Sequence, residues 1–319
     1  MNERGGDKLP RTRVQRRPVH GVLLLDKPLG ISSNNALQKC KRLLRAEKAG
    51  HTGTLDPLAT GVLPLCFGAA TKFSQLQLDA DKTYEATLRL GVKTSTADAE
   101  GEVVEERPVP EISTARLAEV ARQFTGPLRQ LPPMHSALKK DGKPLYEYAR
   151  AGEDVEREAR DVRVHELNLM RRTSNELTLH AKVSKGTYIR TLAEDIGEAL
   201  GCGAHLIALR RVATGQFDLS HCVTLEQFEA MSDSDRAGCL KPVESLLPDH
   251  TRVTLDADNA GRFLSGLRRR GDWQDNEHIA VFGTQPRALL GTAHAAGGEL
   301  IPGRLLSPPE VAQILESKL

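Results

Sequence analysis

The sequence predicts an α+β protein with a mostly antiparallel sheet, flanking helices and a small β-rich domain at its C-terminal end. Three observations carry this reading. Apolar strands and amphipathic helices interleave without the regular strand–helix–strand spacing of a doubly wound parallel sheet. Two stretches, around Tyr84 to Leu90 and Leu177 to Val183, alternate apolar and polar residues, as half-buried strands do. From about residue 251 the texture changes to short β-like runs punctuated by glycines.

Taken in chain order, residues 1–20 form a basic tail with Arg4, Lys8, Arg11, Arg13, Arg16 and Arg17, either a solvated segment or an RNA-binding arm. Val22 to Leu25 is an apolar run that predicts a buried strand, stopped by Asp26-Lys27-Pro28 and Gly30. Ser32 or Ser33 then caps a helix whose apolar face is Ala36, Leu37, Cys40, Leu43 and Leu44, with Lys39, Lys41, Arg42 and Arg45 outside. The segment 51–61, His-Thr-Gly-Thr-Leu-Asp-Pro-Leu-Ala-Thr-Gly, is too rich in Gly, Thr and Pro for a regular helix. Tyr84, Ala86, Leu88 and Leu90 mark a strand, and Ser113 to Phe124 a helix buried through Leu117, Val120, Ala121 and Phe124. A second strand through Leu177, Leu179, Ala181 and Val183 leads into a helix on Leu192, Ile196, Ala199 and Leu200. Residues 219–250 read as a helical connector broken near Ser232-Asp233-Ser234-Asp235, which makes 21–250 one domain and 251–319 another.

Composition narrows the function. The chain has 319 residues, with 44 Lys+Arg against 42 Asp+Glu, and it is 39% hydrophobic and 27% charged. That is globular rather than wholly disordered. No apolar run nears the roughly 18 residues that cross a membrane, and no apolar segment follows the basic start as in a signal peptide. Five scattered cysteines without a C-x-x-C pair fit reduced thiols in a cytoplasmic protein. A net charge of +2 taken alone argues against a nucleic-acid partner, but it averages basic stretches with acidic ones such as 98–106. No phosphate-binding glycine loop, dinucleotide fingerprint, metal-ligand spacing or serine nucleophile elbow is present. Catalysis is therefore expected to use ordinary side chains and no cofactor.

Asp56 is the leading candidate. An Asp-Pro pair between glycines is a turn by default, its carboxylate bonded to its own backbone. It can equally be a carboxylate displayed by a rigid proline, with glycines that let a ligand approach. His51 is either a satisfied histidine or a group that positions a polar ligand. Tyr84 and Tyr188 read by default as core residues, and Arg190 as a surface cation or a partly buried one.

At these residues a family becomes recognisable. GVLLLDKP followed by Gly30 and Ser32, then AGHTGTLDPLATGVLP across 49–64, closely resembles the TruB family of tRNA pseudouridine-55 synthases. The resemblance continues through Lys82-Thr83-Tyr84, the acidic ADAEGE of 97–102, PPMHSALKKDGKPLYEYARAG of 132–152, SKGTYIRTLAEDIG of 184–197 and GCGAHLIALRR of 201–211. It covers roughly residues 20–220.

The resemblance implies that Asp56 is the nucleophile, and that His51 helps hold the target nucleotide out of its loop. It implies that Tyr84 stacks on the base, that Tyr188 and Leu209 contact substrate, and that Arg190 pairs with the catalytic carboxylate. Lys27 is implied more weakly, as structural or electrostatic support. The expected substrate is the T-arm stem-loop of tRNA, handled by a cytoplasmic monomer. Residues 251–319 resemble an RNA-binding PUA-type domain. With eight basic and eight acidic residues there, any RNA contact must be local, and the Arg268-Arg269-Arg270 triplet is either such a contact or a solvated loop. Two alternatives accompany this reading: a tRNA-folding chaperone whose binding matters more than its chemistry, and a guide-RNA-dependent relative.

Overall fold

The structure, a computed structural model, describes residues 15–285 and 287–316. Of the predicted basic tail, Arg4, Lys8, Arg11 and Arg13 lie outside the described residues. Arg17 lies within them and exchanges backbone hydrogen bonds with Arg45 and Glu47.

Strand β1 (Gly21–Lys27) opens the fold, and Ser32 caps helix α1 (Ser33–Leu43) by accepting from the Asn35 amide. Strands β2 (Ala49–His51) and β3 (Ala59–Phe67) follow, then α2 (Ser74–Asp79) and β4 (Lys82–Leu90). Helix α3 (Thr114–Gln123) precedes β5 (Gly126–Gln130), β6 (Arg160–Arg171) and β7 (Glu176–Val183). Helix α4 (Ile189–Ala199) and strand β8 (Ala204–Thr214) complete the centre. The connector supplies a two-residue edge strand, β9 (Val223–Thr224), and helices α5 (Leu225–Ala230) and α6 (Asp233–Gly238). The break read at Ser232 is a helix start, because its hydroxyl caps α6 by accepting from the Asp235 amide.

The main sheet has ten strands, in the order β9-β1-β3-β8-β4-β7-β6-β5, with β2 beside β3 and a short strand Phe217–Asp218 beside β8. Only β1–β9 and β3–β8 run parallel; the other pairs are antiparallel. The unbroken apolar run of β1 has a physical cause, since both faces of the strand are covered. Leu23 and Leu25 enter one core with α1 and α4, whereas Val22 and Leu24 enter a second core.

That second core joins the main sheet to the C-terminal unit. It is built from β10 (Thr251–Leu255), α7 (Ala257–Leu264), β11 (Arg269–Arg270), β12 (Asn276–Gly283), β13 (Leu289–Ala296), β14 (Glu299–Leu305) and α8 (Pro308–Glu316). Its five strands order as β10-β12-β13-β14-β11. Phe263, Val281 and Leu300 share one apolar cluster with Val22, Val62 and Cys66 of the main sheet. Lys72 tightens the junction by donating to the Leu305 carbonyl at 2.9 Å and pairing with Glu310 at 2.6 Å. Among the described residues no helix is long and apolar enough to cross a membrane.

Gly61 permits the parallel pairing of β3 with β8. Its φ is +102°, and a Cβ there would lie 2.1 Å from the Arg211 carbonyl oxygen, a backbone atom that cannot swing away. Gly61→Ala should lower stability by roughly 2–4 kcal/mol, combining strain with overpacking. A denaturant midpoint matching wild type would contradict this account of the strand contact.

Candidate active site

The segment 52–58 forms a loop between β2 and β3, and its shape is set mainly from outside. Ser33 Oγ donates to the Leu55 carbonyl at 3.0 Å and accepts from the Leu55 amide at 2.7 Å. The Gly30 amide donates to the Pro57 carbonyl at 2.9 Å, and the Thr52 amide to that of Pro64 at 3.1 Å. Asp56 stands between these anchors with its side chain 40% exposed, which fits the displayed carboxylate better than the self-satisfied turn.

Arg190, the second residue of α4, is buried, and its guanidinium bridges two carboxylates. Nη2 lies 3.0 Å from Asp56 Oδ2, and Nη1 lies 3.4 Å from Asp98 Oδ2. Nη2 also donates to the His135 carbonyl at 2.7 Å and Nη1 to that of Thr96 at 3.2 Å. Burial pushes the Asp56 carboxyl above its ordinary value of 3.8; Arg190 opposes this, Asp98 adds to it, and Lys27 and His135 oppose it.

The sign has consequences for pH. A carboxyl whose pKa is raised by the fold contributes stability below its unfolded pKa and loses that contribution as pH rises through the folded value. The ionised form needed for nucleophilic attack is thus the form the fold disfavours. kcat/KM on the acid side should fall with a midpoint above 3.8, and a midpoint at or below that value would remove Asp56 as the titrating group.

Lys27 ends β1 fully buried, its Nζ donating to the Pro28 carbonyl at 2.9 Å and the Ile31 carbonyl at 2.7 Å. It thereby closes the turn whose Gly30 amide holds Pro57. Burial lowers its ammonium to about 8, although Asp56 and Glu100 favour the charged form. Tyr84 pairs in register with Arg211 of β8, and Leu209 pairs with Ala59 of β3 and Ala86 of β4. Residues directly opposite one another share a sheet face, so Tyr84 and Leu209 lie on the same one. Tyr84 is largely buried in the first core, as its default reading expected.

Tyr188 immediately precedes α4. Its amide donates to Gln130 Oε1 at 2.9 Å and its carbonyl accepts from Gln130 Nε2 at 3.3 Å. Burial raises its phenol above the ordinary range, and the charges of Arg190 and Asp56 both reach it. His51 ends β2 with Nδ1 buried and unbonded. Burial, then the Arg211 charge, lowers its pKa, which keeps the ring neutral near pH 7. Asp56, Arg190, Lys27 and Tyr188 therefore form one electrostatic group, while His51, at the other end of the loop, couples to Arg211, whose charge also reaches Lys27.

Four residues in this arrangement were not singled out by sequence reasoning: Ser33 as anything but an alternative to the Ser32 cap, Asp98, Gln130 and Arg211. Asp98 and Arg211 sit inside recognisable motifs, the acidic 97–102 run and the 201–211 run, but nothing in those runs states a contact. Among the described residues no three His, Cys, Asp or Glu side chains converge as metal ligands.

The architecture is that of the pseudouridine synthase class. The chain superposes with a TM-score of 0.68 on a chain of "Crystal Structure of a Cbf5-Nop10-Gar1 Complex", at 24% identity, covering 92% of this chain and 86% of that one. The score is again 0.68, at 22% identity, for "Structure of H/ACA RNP bound to a substrate RNA containing 2'-deoxyuridine", covering 91% and 86%. The N-terminal domain of the TruB family pseudouridylate synthases matches residues 41–189, and the tRNA pseudouridylate synthase B C-terminal domain matches 190–248. The tRNA pseudouridine synthase B of Verminephrobacter eiseniae is 64% identical over 314 residues, 97% of this chain and 95% of the relative. That of Cupriavidus pinatubonensis is 58% identical over 304 residues, 92% and 96%. The chain belongs to the TruB family of pseudouridylate synthases.

Proposed function

We propose that this chain converts a uridine of tRNA to pseudouridine at position 55 in the T-arm loop, acting as a cytoplasmic monomer without a cofactor. The observation that carries the reading is the loop carboxylate of Asp56, partly exposed and held 3.0 Å from a buried arginine. The reaction breaks the N1–C1′ bond, turns the uracil in place, joins C5 to C1′ and releases the C5 proton. It is an isomerisation and balances without oxidant, reductant or added water.

In this reading Asp56 is the nucleophile and Arg190 keeps it ionised and oriented. Extruding the base costs a few kcal/mol. Stacking on Tyr84 returns about 1–3 kcal/mol, with Tyr188 and Leu209 lining the site and His51 holding the displaced nucleotide away from its loop. Lys27 supports the loop from below through the turn it closes. Residues 21–250 form the catalytic domain and 251–319 a PUA-type RNA-binding domain. In that second unit Arg268 and Arg270 both pair with Glu299 at 3.2 Å, which leaves their charge partly offset and any RNA contact local.

A binding module alone has no use for a partly buried loop carboxylate paired to a buried cation, and this favours the enzyme over the chaperone. Purified protein given a bare T-arm stem-loop should form pseudouridine at the position equivalent to 55. Detection must rely on isomer mapping, since mass does not change. Complete inactivity on that stem-loop would defeat the reading.

A further inference from the structure

We infer that Arg211 is a positioning residue whose guanidinium ties the start of the loop carrying Asp56 to strand β3 beyond it and thereby sets where that carboxylate stands. The inference rests on the proposed reading of Asp56 as the reacting group. Arg211 lies on β8, opposite Gly61 of β3 and Tyr84 of β4. Its side chain is buried. Nε donates to the Val62 carbonyl at 2.7 Å, after the loop, and Nη2 to the Gly53 carbonyl at 3.2 Å, before Asp56.

The two glycines bracketing Asp56 both abut this one arginine. A Cβ on Gly53, whose φ is +82°, would lie 3.2 Å from Arg211 Nη1, and a Cβ on Gly61 would strike the Arg211 backbone. The planar fork of an arginine holds its two donors in a fixed mutual orientation, which a single ammonium does not.

Stability alone does not account for the residue. Among the described residues no carboxylate pairs with Arg211, and a buried cation is a poorer stabiliser than an apolar side chain of its size. Nor is its charge among the leading influences on the carboxylate. It pushes His51, Lys27 and Lys82 down, whereas Asp56 answers to Arg190, Asp98, Lys27 and His135. What Arg211 supplies to Asp56 is backbone geometry, and a misplacement of about 1 Å costs on the order of 100-fold in rate.

The test uses full-length Arg211→Lys, which keeps the charge but replaces the fixed fork of two separate donors with one nitrogen. Hydrogen exchange of peptides covering 52–62 should speed up by about tenfold or more, with the other sheet strands unchanged. Single-turnover rate on the T-arm stem-loop should fall on the order of 100-fold. Stem-loop affinity should stay within about threefold and the acid midpoint of the rate should not move. Unchanged loop exchange, exchange rising throughout the sheet, a rate within about threefold of wild type or a shifted acid midpoint would each overturn the assignment. If Arg211→Lys does not fold, Arg211→Met, which removes the buried charge, carries the same measurements. Failure of both to fold would also overturn it, since Arg211 would then hold the sheet rather than the loop. Wild-type turnover on the same stem-loop judges the functional reading separately, because loop exchange does not depend on catalysis.

Discussion

Asp56→Asn is expected to lower product formation by at least about three orders of magnitude while leaving tRNA affinity within about threefold. The substitution is nearly isosteric and removes only the charge and the nucleophile. The fold should tolerate it, because burial is the largest influence on this carboxyl and disfavours its ionised form. Arg190 keeps the carbonyls of Thr96 and His135 and the carboxylate of Asp98 after the change. Product mapping on tRNA, binding measured by anisotropy and a thermal melt together decide the point. Appreciable turnover by a pure Asp56→Asn preparation would end the nucleophile assignment, and lost affinity would make Asp56 a binding residue instead.

Much of the fold was legible because local pattern and tertiary environment agree. Helix α1 has its cap at Ser32 and its apolar face where the spacing put them, and β4 and β7 alternate as strands with one buried face do. Strand β6 escaped notice for a physical reason. Its buried residues Val162 and Val164 keep the period of two, but the register slips between Val164 and Glu166, so that Leu167 falls out of phase. Strand β8 carries two such slips, one beside Arg211. Strand β9 is too short to show any period.

The site was legible in a different way. Asp56 in an Asp-Pro turn is ambiguous from its neighbours alone, and the family resemblance, not the local pattern, singled it out. Asp98, Gln130 and Arg211 gain meaning only from partners far along the chain. Asp98 meets Arg190, Gln130 meets the Tyr188 backbone, and Arg211 meets Gly53 and Val62. Contacts of that kind are made by sheet order, which no window of sequence contains.

The same bridge makes Arg190→Ala the most damaging substitution for stability near the site. Asp98 is buried, and its Oδ1 already accepts from Thr96 Oγ1 at 2.6 Å and from the Glu100 amide at 3.0 Å. Its Oδ2 faces Arg190. Deleting the guanidinium leaves a buried carboxylate without a counter-charge, a change that costs about 3–5 kcal/mol. Adding Asp98→Asn removes the stranded charge, so the double variant should recover a good part of that loss, a coupling readable in a double-mutant cycle. Activity should behave otherwise. Asp56 still lacks its cation in the double variant, so turnover stays low; the acid midpoint stays above that of wild type, because Arg190 outweighs Asp98, but below that of Arg190→Ala, because the Asp98 charge that raises it is gone. Stability restored without activity would separate the two ends of the guanidinium, with Asp98 serving the fold and Asp56 the chemistry. A stability loss below about 1 kcal/mol in Arg190→Ala, or strictly additive effects in the cycle, would show that the two carboxylates do not share the arginine as a unit.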